Sequence, residues 1–135
     1  MTVWNLRQDQ IPEFWWLVAP WLDRALRPNG ENADDIYPSA LAGHYQLWII
    51  LGNHDPVGGF ATRVVVEEGR RVLEVYALAG KGMRTWMGEV NKALEDMRCF
   101  VGAKEIRFGT TRRAKRLLAK FGFRSNNNGR KQENV

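Results

Sequence analysis

The run from Val72 to Thr85 limits what this chain can fold into more than any other stretch. Val72-Leu73-Glu74-Val75-Tyr76-Ala77-Leu78 has the branched and aromatic content of a buried strand. Ala79-Gly80-Lys81-Gly82 reads as a glycine turn. A helix follows at once, from about Met83 to Val101, with Trp86, Val90, Ala93, Leu94, Met97, Phe100 and Val101 on one face. A strand that passes through glycines directly into a helix gathers N–H groups without intrahelical acceptors at the positive helix end. Such a point suits phosphate. Two common phosphate loops are excluded. A Walker loop needs G-x-x-x-x-G-K and then Ser or Thr, but Gly82 follows Gly80-Lys81 and Val75 stands at the first glycine position. A dinucleotide fingerprint needs a third glycine where Thr85 stands.

The flanking sequence supplies the rest of a mixed fold. Residues 2–6 read as a short edge strand. Pro12 suits the first turn of a helix carrying Phe14, Leu17, Val18, Trp21, Leu22, Ala25 and Leu26 on one face, which Pro20 should kink or split. Asn32 can cap a second helix reaching about Gly43; Pro38 inside that span also allows a later start. Tyr45 to Leu51 and Gly59 to Glu67 read as strands, and Glu68-Gly69 as a tight hairpin into the strand from Arg71 to Leu78. Gly102 closes the long helix and Lys104 to Phe108 forms a fifth strand. Ala114, Leu117, Leu118 and Phe121 stripe a last helix, and Ser125 to Val135 is polar, Asn-rich and expected to be flexible. The order β-α-α-β-β-β-α-β-α predicts an α/β (α+β) domain over residues 1–124 and a tail over 125–135. Its sheet should be mixed and mostly antiparallel, with helices on both faces and one right-handed βαβ crossover.

Composition narrows the function classes. With 135 residues the chain fits one domain, and its six tryptophans make an aromatic-rich core. A single cysteine, Cys99, forms no internal disulfide and suits a reducing cytoplasm. One Cys and two His (His44 and His54) build no zinc site without several carboxylates, so no metal is expected. No signal peptide is visible, and the apolar run Leu47 to Leu51 is too short for a membrane span. From Lys104 onward ten Lys/Arg face two Asp/Glu. Arg112, Arg113, Lys115, Arg116 and Lys120 form a basic flank, read as a solvated face, a seat for a phosphate, or a site for nucleic acid by phosphate contacts alone. Specific nucleic-acid recognition is not expected, because no aromatic-interleaved strand or reading helix is present.

The order of elements, with the strand–glycine loop–helix at its centre, resembles the GNAT superfamily of N-acetyltransferases. The segment Ala114-Lys115-Arg116-Leu117-Leu118-Ala119-Lys120-Phe121-Gly122-Phe123 is similar to that superfamily's closing helix. Trp15-Trp16-Leu17-Val18-Ala19-Pro20-Trp21-Leu22, Asp34-Asp35-Ile36 and Gln46-Leu47-Trp48-Ile49 resemble small GNAT-like proteins of tailed bacteriophages. The resemblance implies acetyl-CoA as cofactor and an amine, on a small molecule or a protein, as acceptor. The fourth strand would splay from the fifth and expose backbone groups to pantetheine. Ala77, Leu78, Ala79, Gly80, Lys81, Gly82, Met83, Arg84 and Thr85 would line the cofactor, with loop N–H groups on the pyrophosphate. Glycine there would let the backbone approach phosphate, Lys81 and Arg84 would add charge, and Trp86 lies near enough to contact a ligand. The chain also departs from the pattern of Gln or Arg, two residues, Gly, one residue, then Gly or Ala. It has Ala77 first when Gly80 and Gly82 match, or Ala79 first and Arg84 last when only Gly82 does. Leu118 stands where a general-acid tyrosine is usual, and the usual final hairpin is expected to be missing or very short. A catalytically inactive GNAT-like phage protein, with other phage or host proteins as partners in a virion, assembly or host-interaction role, is the alternative. The cytoplasm, that of the host for a phage protein, is the expected location.

Acetyl transfer needs a base for the amine and an acid for the leaving thiolate. Glu74 and Tyr76 share a face of the fourth strand and are the candidates, as base and acid. The plain alternative makes Glu74 an exposed strand residue and Tyr76 a packed ring. His44 and His54 read as surface histidines and Cys99 as an inert thiol.

Overall fold

A computed structural model describes residues 2–109. Among these, strands β1 (Thr2–Asn5), β2 (Gln46–Leu51), β3 (Pro56–Glu67), β4 (Arg70–Gly80) and β5 (Glu105–Phe108) form one sheet in the order β1-β2-β3-β4-β5. The pairs from β1 to β4 are antiparallel and β4 pairs parallel with β5. Helices α1 (Ile11–Leu26), α2 (Tyr37–Leu41) and α3 (Met83–Val101) complete the described chain. The mixed, mostly antiparallel sheet is therefore as expected. The last helix, the basic flank and the tail lie outside the described residues.

Each face of the sheet carries one long helix, for reasons of side-chain size. Val18, Leu22, Ala25 and Leu26 of α1 pack on Leu47, Ile49, Ala61, Ala77 and Ala79. The small residues of β3 and β4 let α1 approach closely: a Cβ on Gly59 would sit 3.1 Å from Val18 Cγ2 and 3.3 Å from Trp21 Cβ. On the other face Trp86, Met87, Val90 and Leu94 of α3 pack on Trp48, Ile50, Phe60, Leu73, Val75 and Leu78. Trp48 stacks on Phe60 with centroids 5.1 Å apart. Removing one of these leucines to alanine costs about 2–5 kcal/mol by transfer and cavity terms.

Several local readings change. Helix α1 runs through the exposed Pro20 as one element rather than splitting. Asn32 does make a capping box with Asp35, but it caps a single 3-10 turn. Pro38 then opens the short α2, so the later start holds. Strand β3 begins at Pro56 and β4 continues to Gly80, both longer than read. The stripe of α3 is turned toward Met87, which is buried, while Phe100 is 86% exposed on the flank. Glu68 and Gly69 both take positive φ, 54° and 77°, the backbone of a tight two-residue hairpin. That hairpin sets the register Glu67↔Arg70 and Arg63↔Glu74.

Candidate active site

Among the described residues the ladder between β4 and β5 pairs Val72 with Glu105 through Val75 with Phe108, and Gly109 N–H donates to Val75 O at 2.9 Å. Strand β4 continues to Gly80 against β3, without a partner on its other side among the described residues. Its pairing with β3 also shifts there: Ala61 faces Ala77 but Thr62 faces Val75, so Tyr76 is the extra residue of a bulge. The bulge puts Tyr76 and Ala77 both toward the α1 face. Glu74 shares that face, paired with Arg107 of β5 in register, and a Cβ on Gly109 would be 3.1 Å from its Oε2.

Around this point a charged and aromatic cluster forms. Arg63 Nε meets Glu74 Oε1 at 2.5 Å, and Glu74 is buried. Arg63 Nη1 donates to the Tyr45 hydroxyl at 3.1 Å. The same guanidinium lies 4.9 Å from the ring centroid of Tyr76 and 5.6 Å from that of Tyr45. The Tyr76 hydroxyl donates to Glu31 at 2.6 Å. Burial, then the hydrogen bond and charge of Glu31, push the Tyr76 hydroxyl well above the usual tyrosine range. Burial pulls the Arg63 guanidinium down, but the hydrogen bond and charge of Glu74 outweigh it and hold it above its ordinary value. Glu74 and Tyr76 are thus brought together, each already engaged. Neither is idle surface: Glu74 is not the exposed strand residue of the plain reading.

The glycine loop is shorter than read. Gly80 still belongs to β4, and the Lys81 N–H is taken by Val57 O at 2.7 Å. Gly80 is required by packing, since a Cβ there would lie 2.6 Å from Trp86 Cζ2 and 2.8 Å from Val57 O. Trp86 is 1% exposed and its indole N–H bonds Lys81 O, so it supports the loop from beneath and presents no ring outward. Gly82 is left-handed, with φ 67°, and a Cβ on it would meet only Thr85 Oγ1 at 3.8 Å. Thr85 N–H closes onto Gly82 O at 2.8 Å. The N–H groups of Met83 and Arg84, in the first turn of α3, have no intrahelical acceptor. Lys81, Gly82, Arg84 and Thr85 are exposed there. The side chains of Ala77, Leu78 and Ala79 are buried, leaving these residues only backbone to offer.

A polar groove of about 400 Å³ adjoins the cluster, lined by Ser39, Gly43, His44, Tyr45, Gln46, Arg63, Val64 and Val65. Arg63, Tyr45 and Glu31 were not among the residues singled out from sequence. The signal for Arg63 was present, because a two-residue hairpin at Glu68-Gly69 places it opposite Glu74. His44 borders the groove, while His54 and Cys99 are exposed away from it. Among the described residues no cluster of His, Cys, Asp or Glu could hold a metal ion, and no helix is long and apolar enough to cross a membrane.

No protein-family profile and no curated protein matches the sequence. Solved structures do match. A GCN5-related N-acetyltransferase from Ralstonia eutropha superimposes with TM-score 0.67 at 15% identity, covering 95% of each chain. A predicted acetyltransferase from Clostridium acetobutylicum, solved with acetyl-CoA, gives 0.63 at 13%, covering 92% of this chain and 90% of the other. An aminoglycoside acetyltransferase from an uncultured soil metagenomic sample gives 0.66 at 18%, covering 92% and 91%. The chain therefore has the fold of the GNAT N-acetyltransferases, carried over nearly its whole length.

Proposed function

We infer that the protein is an acetyl-CoA-dependent N-acyltransferase acting on an amine. The observation that carries this reading is the fold shared with solved acetyltransferases, with β4 passing Glu74 and running through Gly80 to the exposed start of α3. The residues present fit the cofactor. The β4 edge from Ala77 to Gly80, which has no strand partner opposite β3 among the described residues, offers backbone groups to an amide-rich arm. The first-turn N–H groups of Met83 and Arg84, beside the exposed Gly82, suit a pyrophosphate. Lys81 and Arg84 supply positive charge. Bound acetyl-CoA would supply an activated acyl thioester.

The base belongs to the chain. Glu74 takes the proton of the incoming amine; in the free protein its Oε1 meets Arg63 and its Oε2 lies beside Gly109. The Tyr76 hydroxyl lies nearby but is committed to Glu31 and holds its proton more tightly than a free tyrosine, so the departing thiolate draws its proton from water. Acetyltransferases of the same fold include enzymes for aminoglycosides, which are polyamines, and the present groove is likewise polar.

Titration calorimetry and thermal shift with acetyl-CoA test the reading. Ligand at a hundred times its dissociation constant should add about 2.7 kcal/mol of stability. No binding at millimolar acetyl-CoA or coenzyme A would refute it. That result would favour an inactive protein of this fold with a virion, assembly or host-interaction role. The prior engagement of Glu74 by Arg63 and of Tyr76 by Glu31 is the observation on that side.

A further inference from the structure

Glu74 already holds a cation. Its carboxylate, buried in the sheet, meets the Arg63 guanidinium at 2.5 Å, and that guanidinium lies over the rings of Tyr76 and Tyr45. A carboxylate whose partner cation lies over two aromatic rings has the chemistry that recognises organic cations, since the rings attract positive charge and the carboxylate neutralises it. The two rings meet edge to face with centroids 5.4 Å apart; Glu31 fixes the Tyr76 hydroxyl, and the Tyr45 hydroxyl, which accepts from Arg63, is freed for the incoming cation's N–H when Arg63 leaves. Arg107, opposite Glu74 on β5, pairs with Glu67 and acts on Glu74 through its charge, so among the described residues Arg63 is the cation in direct contact with the carboxylate.

The seat has an open side. The Arg63 side chain is 36% exposed and lines the polar groove with Ser39, His44 and Gln46. It can therefore withdraw along the groove without disturbing β3 or β4. An ion pair with one partner so exposed is weakly held. A carboxylate as buried as Glu74 is costly to leave unpaired, so a cation must replace the one that leaves. A groove of about 400 Å³ admits a small molecule rather than a folded partner.

The geometry points to a cation-binding site formed by Tyr45, Glu74 and Tyr76. It receives the ammonium or guanidinium group of a small organic cation entering by the groove, and Arg63 is the resident group that the ligand displaces. The assignment rests on the proposed function only in making that cation the acyl acceptor. Binding itself requires no cofactor.

The test uses the full chain labelled with nitrogen-15 and titrated with n-propylammonium or n-propylguanidinium, with n-propanol and sodium chloride of matched ionic strength as controls. The Arg63 Nε–Hε resonance should shift saturably with at least one of the cations and with neither control; the comparison of the two cations identifies the preferred headgroup. In Arg63→Gln the cations should raise the melting temperature, and adding Glu74→Gln should weaken their binding at least tenfold. An Arg63 resonance that moves no further with the cations than with sodium chloride overturns the assignment, as does equal binding by Arg63→Gln and the double variant. Should Arg63→Gln fail to fold, the wild-type titration alone decides. Coenzyme A titrated into the same sample separates the two claims. Cation exchange without coenzyme binding leaves the seat standing and removes the acyltransferase reading, whereas coenzyme binding without cation exchange removes the seat alone.

Discussion

Gly80 and Gly82 belong to one short motif but are glycine for different reasons, and alanine at each position separates them. At Gly80 a Cβ would stand 2.6 Å from Trp86 Cζ2, 2.8 Å from Val57 O and 3.0 Å from Gly58 Cα. Two of these atoms are β3 backbone, held by the β3–β4 ladder, and the third belongs to a tryptophan that is 1% exposed. None is the end of a flexible side chain, so Gly80→Ala should cost about 1–3 kcal/mol, the range for overpacking a filled core, and its upper end is expected here. At Gly82 the nearest atom would be Thr85 Oγ1, an ordinary 3.8 Å away. Only the φ of 67° opposes a side chain. That conformation costs an L-residue about 1–2 kcal/mol, partly offset by roughly 0.4–1 kcal/mol from a less flexible unfolded chain. Gly82→Ala should therefore lose about 1 kcal/mol. Urea unfolding followed by tryptophan fluorescence measures both, and in a thermal scan each kcal/mol corresponds to about 4 °C. Native-state fluorescence should change in Gly80→Ala, because Trp86 must move, and stay as it is in Gly82→Ala. A Gly80→Ala variant as stable as wild type, or less destabilised than Gly82→Ala, would refute the assignment of Gly80 to packing.

Three further outcomes follow from the site and the helix. Glu74→Gln should lower acetyl transfer by about 10²–10⁴-fold, the range for a lost general base, with coenzyme A affinity unchanged by calorimetry; undiminished turnover would clear Glu74 of that role. The raised pKa of Tyr76 means the folded state keeps a proton that the unfolded state releases near pH 10. Its contribution is whole below that pH and is lost as pH climbs through the higher folded value. Wild-type stability should thus fall more steeply than that of Tyr76→Phe above about pH 10, by at most about 1.4 kcal/mol per pH unit and less with screening. Parallel alkaline curves by urea titration would contradict this. Phe100→Gln should change stability by no more than about 0.5 kcal/mol, because the ring is 86% exposed; a loss of several kcal/mol would restore Phe100 to the core.

Local signals carried most of the architecture. Hydrophobic period located α1 and α3, branched and aromatic runs located β2 to β5, and Glu68-Gly69 placed the hairpin. Boundaries shifted where neighbours decided them. Strand β4 reaches Gly80 because β3 approaches it closely enough to exclude a Cβ at Gly58, which would meet Ala79 O at 2.8 Å. The α3 stripe was misplaced at Phe100 because periodicity gives a face but not how far the sheet extends beneath it.

The candidate site was legible in part for a similar reason. Glu74 and Tyr76 stand out by alternation along one strand, and Arg63 falls opposite Glu74 once the hairpin register is known. Those facts depend on residues close in sequence or tied by a two-residue turn, so the chain by itself determined them. The bulge at Tyr76, the parallel pairing of β4 with β5 and the reach of Glu31 from beyond α1 to the Tyr76 hydroxyl were decided only in the tertiary structure. Each depends on contact between segments far apart along the chain, where the packing of α1 on one face and α3 on the other sets the spacing, and no local pattern records it.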